Sequence, residues 1–342
     1  MTGLLSTSNF NFRTMKNLYP LKFTPIFKDK IWGGNKLNEL LNKDYPGLPN
    51  CGESWEISGV QDEVSVVSDG FLTGNSLEEL IEVYMGDLVG EKTYEKFGTE
   101  FPLLVKFIDA NDNLSIQVHP NDELSMERHD AYGKTEMWYV VQADPGARLI
   151  SGFNRKMDKE LYLKNFEEGR IEEILNYEEV KAGDVFFIPA GTVHAIGKGI
   201  VIAEIQQTSD VTYRIYDFNR LDDHGHPREL HTDLAVDAID YGSAVKSRTD
   251  YTAVDDIPVK LVECEYFTTN ILTLSTLVER DFTTFDTFVI YVCLEGEYSL
   301  SWEDQSISVV KGESILVPAL ITNFVLSAVN DGTAKLLEVY IK

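Results

Sequence analysis

The sequence predicts a mainly β fold with helical insertions, arranged as two β lobes. Three observations carry this. Six short runs, EVSVVS (63–68), FPLLVKFIDA (101–110), NLSIQVHP (113–120), EMWYVVQ (136–142), DVFFIPA (184–190) and IVIAEIQQ (200–207), are β-branched or aromatic and bounded by Gly, Pro, Asp or Asn. Helical periodicity breaks the pattern at two segments, residues 75–98 and 157–179. The run KAGDVFFIPA (181–190) is echoed by VKGESILVPA (310–319), each with Gly, an acidic residue, four mostly apolar residues, Pro and Ala, as if one unit were used twice.

Taken in order, residues 1–14 are polar and patternless and read as a disordered extension, with Met15 as a plausible true start. The stretch LYPLKFTPIFKDKIWGG (18–34) opens the first apolar strand. The segment 75–98 begins with Ser76 and Glu79 spaced as a capping box, and with 157–179 it is expected to supply helices beside a barrel. A mostly non-strand stretch at about 217–256 leads to the second β region. The expected units are a catalytic domain at 15–240 and a degenerate copy at 241–342, because His194 of the first echo falls opposite Asn323 of the second.

Composition narrows the function classes. A chain of 342 residues with 43% apolar and 11% aromatic content can bury a large core. Its net charge of -26 argues against nucleic acid and anionic membranes as partners, since both need a basic face. A small anionic substrate remains compatible, because surface charge is screened beyond about 8 Å at physiological salt. Three cysteines without a CxxC pair read as reduced thiols, and the chain lacks a long apolar run, so the expected location is the cytoplasm. A monomer or homodimer is expected.

The histidines pose the chemical question. Gln117 and His119 are two apart in LSIQVHPND, so on a strand they share a face. Glu136 opens the next aromatic strand, and His194 follows a Pro-Ala-Gly corner. Two imidazoles and a carboxylate on strands of one barrel can converge on Zn or Fe(II), with Gln117 as a fourth, weaker oxygen donor. Hydrogen-bonded core histidines explain the same spacing equally well.

The motif GDVFFIPAGTVH fits the second cupin signature, although Lys198 stands where that signature has Asn. The first signature fits poorly, with Gln117-Val118-His119 in place of His-x-His and a long gap to Glu136. Together with IWGG, GESWEIS, PLLVKFIDA, GKTEMWYV and EIQQTSDVTYRIYDFNR, these marks resemble the type I phosphomannose isomerase family in its short bacterial form, from Leu18 onward. The resemblance implies a double cupin, two jelly-roll-like barrels of which only the N-terminal one binds metal, and reversible conversion of mannose 6-phosphate to fructose 6-phosphate. It implies one Zn2+ per chain on Gln117, His119, Glu136 and His194. It places the active-site arginine at Arg214, an acidic position at Glu204, and substrate-pocket positions at Lys106, Ser115, Lys134 and Glu53.

Aldose–ketose isomerisation asks for such residues on its own account. A proton leaves the carbon beside a carbonyl, and the resulting enediolate needs a cation, which a metal and Arg214 can supply. Glu204 and Lys134 are candidate acid/base groups, and Ser115 and Lys106 candidate phosphate ligands. Blander roles compete: Arg214 as an ion-pair partner of Asp210 or Asp217, Glu53 as a turn cap beside Trp55, and His129, His224, His226 and His231 as solvated loop histidines. Two other functions compete as well, an Fe(II) cupin dioxygenase and a non-catalytic sugar-phosphate-binding cupin.

Overall fold

The computed structural model describes residues 18–221, 225–242, 247–330 and 332–342. The expected extension at residues 1–14, the start at Met15 and His224 lie outside them. Among the described residues, four sheets make two barrels, each from a pair of sheets. In the first barrel a seven-stranded sheet runs Ile26–Gly34, Cys51–Ser58, Leu103–Ala110, Ile200–Gln207, Glu136–Ala143, Val185–Ile188, Arg248–Thr249. It faces a five-stranded sheet of Tyr213–Tyr216, Ile116–Val118, His194–Ala195, Arg148–Phe153 and Leu175–Glu179. The second barrel pairs a sheet ordered Val259–Glu263, Thr268–Leu274, Ala334–Tyr340, Val289–Glu295, Ser314–Val317 with one ordered Leu277–Asp281, Asn323–Ala328, Glu297–Trp302, Gln305–Val310.

Strands Cys51–Ser58, Leu103–Ala110 and Ile200–Gln207 are buried at every residue. The period-2 alternation of a strand explains how both faces are used. Leu103, Val105, Phe107, Val201, Ala203, Ile205, Met137 and Tyr139 face outward into a core shared with Ile271, Ile290, Val292, Leu316, Leu337 and Val339 of the second barrel. The intervening Ile108, Ala110, Trp138, Val140, Ile200 and Ile202 fill the first barrel. Lys106, Glu136 and Glu204 belong to this inward face, so one set of strands cements the two barrels and presents the chemistry.

The two barrels share a register. Glu204 lies between Lys106 and Trp138 on flanking strands; Glu338 lies likewise between Asn270 and Tyr291. Glu136 pairs with Ile188 as Val289 pairs with Val317, and Gln117 pairs with His194 as Asp281 pairs with Asn323. Positions corresponding to His119, Glu136 and His194 are therefore Thr283, Val289 and Asn323, and Asn323 donates to Thr283 Oγ1 at 3.1 Å. The echo seen in the sequence is one turn of this larger repeat.

Helices form in both predicted segments, and those of the first bond the second barrel, where Ala319 and Leu320 N–H donate to the carbonyl oxygens of Leu88 and Asp87 at 2.9 Å. Ser76 caps Leu77–Tyr84 in a complete capping box, its N–H on Glu79 Oε2 at 2.8 Å and Glu79 N–H on Ser76 Oγ at 3.2 Å. The segment then continues as Gly86–Val89 and Glu91–Phe97. The second predicted helix is corrected: Asp158 caps Lys159–Glu167, a 3-10 turn follows at Ile171–Ile174, and Leu175–Glu179 is a strand, because Tyr177 and its neighbours pair with Arg148–Phe153. The run EVSVVS is not a full strand; Val66 and Val67 make isolated bridges. A further helix, Asp122–His129, went unpredicted although Asn121 caps it and acidic residues occupy its first turn.

Candidate metal centre and active site

His194, His119 and Glu136 reach one point from three strand ends. His194 opens His194–Ala195 directly opposite Gln117, His119 follows Ile116–Val118, and Glu136 opens Glu136–Ala143. Between them lies the corner at Gly191, whose φ of +87° is the left-handed region that favours glycine. Gly191 N–H donates to His119 carbonyl oxygen at 2.8 Å, tying the two histidine-bearing turns together.

His119, Glu136 and His194 are each 1% exposed, and their ligand atoms lie within 4.8 Å of one another. His119 Nε2 is 3.5 Å from Glu136 Oε2, and His194 Nε2 is 3.4 Å from Glu136 Oε1. Each ring's Nδ1 meets a backbone carbonyl, His119 on Val211 at 2.9 Å and His194 on Thr192 at 2.8 Å. With the proton held on Nδ1, both Nε2 lone pairs face the shared point, the arrangement by which outer partners orient metal-binding imidazoles. Burial and the nearby Lys134 charge push both imidazoles down, His194 to about 3, so both are neutral donors. His119 Nε2 and Glu136 Oε2 are buried without a hydrogen-bond partner. Two neutral imidazoles and a carboxyl group with such unmet capacity, its pKa pushed up to about 8 by burial and the Glu204 charge, fit a divalent ion better than a structural histidine pair. Gln117 presents its amide nitrogen to His194 Nε2 at 3.3 Å and its oxygen to Ser115 Oγ at 3.4 Å, so ligation by Oε1 requires the amide to turn over.

This cluster edges a cavity of about 420 Å³ lined by Lys106, Ser115, Lys134, Glu53, Glu204 and Arg214, the sequence-predicted residues, and by Trp55, Thr212 and Arg228, which sequence reasoning did not single out for the site. On the strand wall lysines and carboxylates alternate. Lys106 Nζ is 2.9 Å from Glu204 and 3.9 Å from Glu53, and these carboxylates hold its pKa up although burial opposes that. Glu204 also accepts from Trp138 Nε1 at 2.8 Å. Glu53 accepts from Trp55 Nε1 at 2.7 Å and lies 3.5 Å from Lys30. Burial would raise Glu53, but Lys106 and Lys30 outweigh it and hold the carboxyl at about 2. Lys134 lies 3.9 Å from Glu136, and burial with the Lys106 charge pushes its ammonium pKa down.

Arg214 is not the ion-pair partner of Asp217. Its Nη1 donates to Glu229 carbonyl oxygen at 2.7 Å, while Asp217 receives Arg220 and, side-on, Arg228 at 2.6 and 2.7 Å. His129 and His231 are not free loop histidines either. His129 Nε2 meets Tyr213 OH at 2.7 Å, and His231 Nδ1 accepts Arg214 N–H at 3.1 Å, so both support the strand that carries Arg214. Sequence spacing gives no hint of these pairings, which cross 84 and 17 residues.

Comparison with known proteins agrees in both fold and sequence. The family model for phosphomannose isomerase type I, catalytic domain, matches residues 20–140, and that for the mannose-6-phosphate isomerase cupin domain matches residues 258–341. The mannose-6-phosphate isomerase of Streptococcus mutans is 37% identical over 306 residues, covering 89% of this chain and 94% of that protein. A mannose-6-phosphate isomerase of Bacillus subtilis is 37% identical over 308 residues, 87% of this chain and 93% of its own. The crystal structure of the mannose 6-phosphate isomerase from Bacillus subtilis superposes with a TM-score of 0.80 at 32% identity, over 94% of this chain and 99% of that one.

Proposed function

We propose that this chain, which belongs to the type I phosphomannose isomerase family, interconverts mannose 6-phosphate and fructose 6-phosphate in the cavity beside His119, Glu136 and His194. The observation that carries the site assignment is the buried triad, with unpartnered His119 Nε2 and Glu136 Oε2, opening on a cavity lined by Arg214. The two-imidazole, one-carboxylate set suits Zn2+, one per chain, which when bound would polarise sugar oxygens as a Lewis acid.

The chain's own residues do the rest. Arg214 faces the cavity with a guanidinium that, among the described residues, pairs with no carboxylate, so it can stabilise negative charge developing on the substrate oxygens as an enediolate forms. Lys134 is our candidate for moving the proton between the two carbons, since among the described residues its ammonium has no hydrogen-bonded carboxylate partner and burial weakens its hold on the proton. Glu204 is better suited to holding Lys106 than to accepting a proton, because one oxygen accepts from Trp138 and the other is ion-paired with Lys106, and its counterpart Glu338 persists in a barrel where Thr283, Val289 and Asn323 stand in place of His119, Glu136 and His194.

The test is an assay with mannose 6-phosphate before and after chelation, run also in deuterated water. Isomerisation should fall with chelation and return with Zn2+, and fructose 6-phosphate should carry solvent deuterium at carbon 1 without oxygen uptake. Oxygen consumption without isomerisation would move the triad to the Fe(II) dioxygenase reading. Hexose-phosphate binding without turnover would leave a sugar-phosphate-binding cupin.

A further inference from the structure

We propose that Arg228, held by Asp217, binds the phosphate dianion and sets the preference for a phosphorylated sugar; the assignment rests on the isomerase reading of the same cavity. Charge distribution carries it. On the strand wall each lysine faces a carboxylate: Lys28 faces Glu63, Lys30 faces Glu53, Lys106 faces Glu204, and Lys134 approaches Glu136. Lys106, a phosphate ligand on chemical grounds alone, has its charge compensated by two buried carboxylates, which disfavours the added dianion beside it.

The opposite wall differs. Arg220 and Arg228 share the buried carboxylate of Asp217, which is 5% exposed, while Arg214 donates to the Glu229 carbonyl oxygen and the exposed Asp210 is the acidic group on this side of the cavity. Arg228 and Arg214 both line the cavity, alongside the hydroxyl-bearing Thr212. Asp217 grips Arg228 through Nε and Nη2, at 2.7 and 2.6 Å, which fixes the plane of the guanidinium while its Nη1 remains outside that grip. A guanidinium fixed from behind loses little freedom when an anion docks, and it presents donors in the fork that suits phosphate oxygens. In a chain of net charge -26, a locally cationic wall also gives the dianion a place to be attracted to against the general repulsion.

The experiment uses the metal-loaded full chain, with Arg228→Met and Arg228→Lys. For Arg228→Met, KM for mannose 6-phosphate should rise about 10- to 100-fold, as expected for loss of a charge-assisted contact. The dissociation constant of inorganic phosphate, measured by calorimetry, should rise with it. The loss in kcat/KM should be at least tenfold smaller for unphosphorylated mannose, and metal content should stay at the wild-type level. Arg228→Lys should recover part of the affinity, and it decides the matter if the methionine variant fails to fold. Unchanged KM and phosphate affinity, or equal losses on both sugars, would overturn the assignment. A wild-type protein that binds inorganic phosphate but turns over no sugar overturns the isomerase reading alone, and the calorimetric comparison still decides Arg228.

Discussion

Glu338 occupies in the second barrel the register position that Glu204 occupies in the first, and each carboxylate is held by side chains from both flanking strands. Glu204 takes Lys106 and Trp138; Glu338 takes Asn270 Nδ2 at 2.9 Å and Tyr291 OH at 2.7 Å, and Arg280 adds a bidentate pair at 2.8 and 2.9 Å. The carboxylate is thus part of the barrel's internal design, and the chemistry was added to, or lost from, the positions around it.

Removing Glu338 should therefore cost stability and leave the active site alone. Glu338→Ala strands Arg280 and the Tyr291 hydroxyl in a core where Glu338 itself is fully buried, a loss of about 3 to 5 kcal/mol. Urea unfolding should show the shift, while the folded fraction keeps wild-type metal content and KM. A metal loss equal to the stability loss would contradict the separation of roles.

Metal occupancy should depend on the triad and not on Gln117. Elemental analysis of the purified protein should give roughly one divalent ion per chain, with His119→Ala and His194→Ala losing it. Gln117→Ala should keep most of it, because its amide nitrogen, not its oxygen, meets His194. Retention of metal by both histidine variants would overturn the centre.

Much of this was legible because the signals are local. Strand alternation put Gln117 and His119 on one side, and the Pro-Ala-Gly corner set His194 against a strand end, so spacing offered a candidate ligand set, and the resemblance to the family decided between metal ligands and hydrogen-bonded core histidines. The shared core of Val105, Phe107, Ile290 and Val339 was not legible, since a strand buried on both faces shows no polar alternation to say which side faces which barrel. Arg228 escaped for another reason: its partner Asp217 lies 11 positions earlier in the chain, a spacing that no helix or strand period links. His129 is exposed, as its polar neighbours suggest, but it closes a helix and not a loop, and its partner Tyr213 arrives from a strand 84 residues away.

Gly191→Ala should weaken fold and site together. At φ +87° a methyl side chain costs about 1 to 3 kcal/mol in backbone strain, and the added Cβ would sit 3.1 Å from the Ala238 carbonyl oxygen. Relief of that strain moves the turn that bonds His119 carbonyl oxygen, so the variant should show a lowered Tm and weaker metal retention under chelator challenge. A lowered Tm with unchanged retention would show that the corner shapes the fold without setting the centre.

Glu53 supplies a pH signature. Its carboxyl is held at about 2 in the folded chain against about 4.5 when free, because Lys106 and Lys30 outweigh the burial penalty. A depressed carboxyl contributes stability that is fully present above the free value and is lost as pH falls through the folded one. The contribution at neutral pH is at most about 3 kcal/mol, and the window in which it drains away runs from about pH 4.5 down to about 2. Replacing Glu53 with Gln removes the titrating group, so the stability gap between wild type and Glu53→Gln should be widest at pH 7, begin to close below about pH 4.5, and keep closing for as long as both proteins remain folded. Urea midpoints measured across that range read the gap directly. A gap that stays constant with pH would mean that Glu53 contributes through its Trp55 hydrogen bond and packing, and that the lysine charges around it do not govern its ionisation.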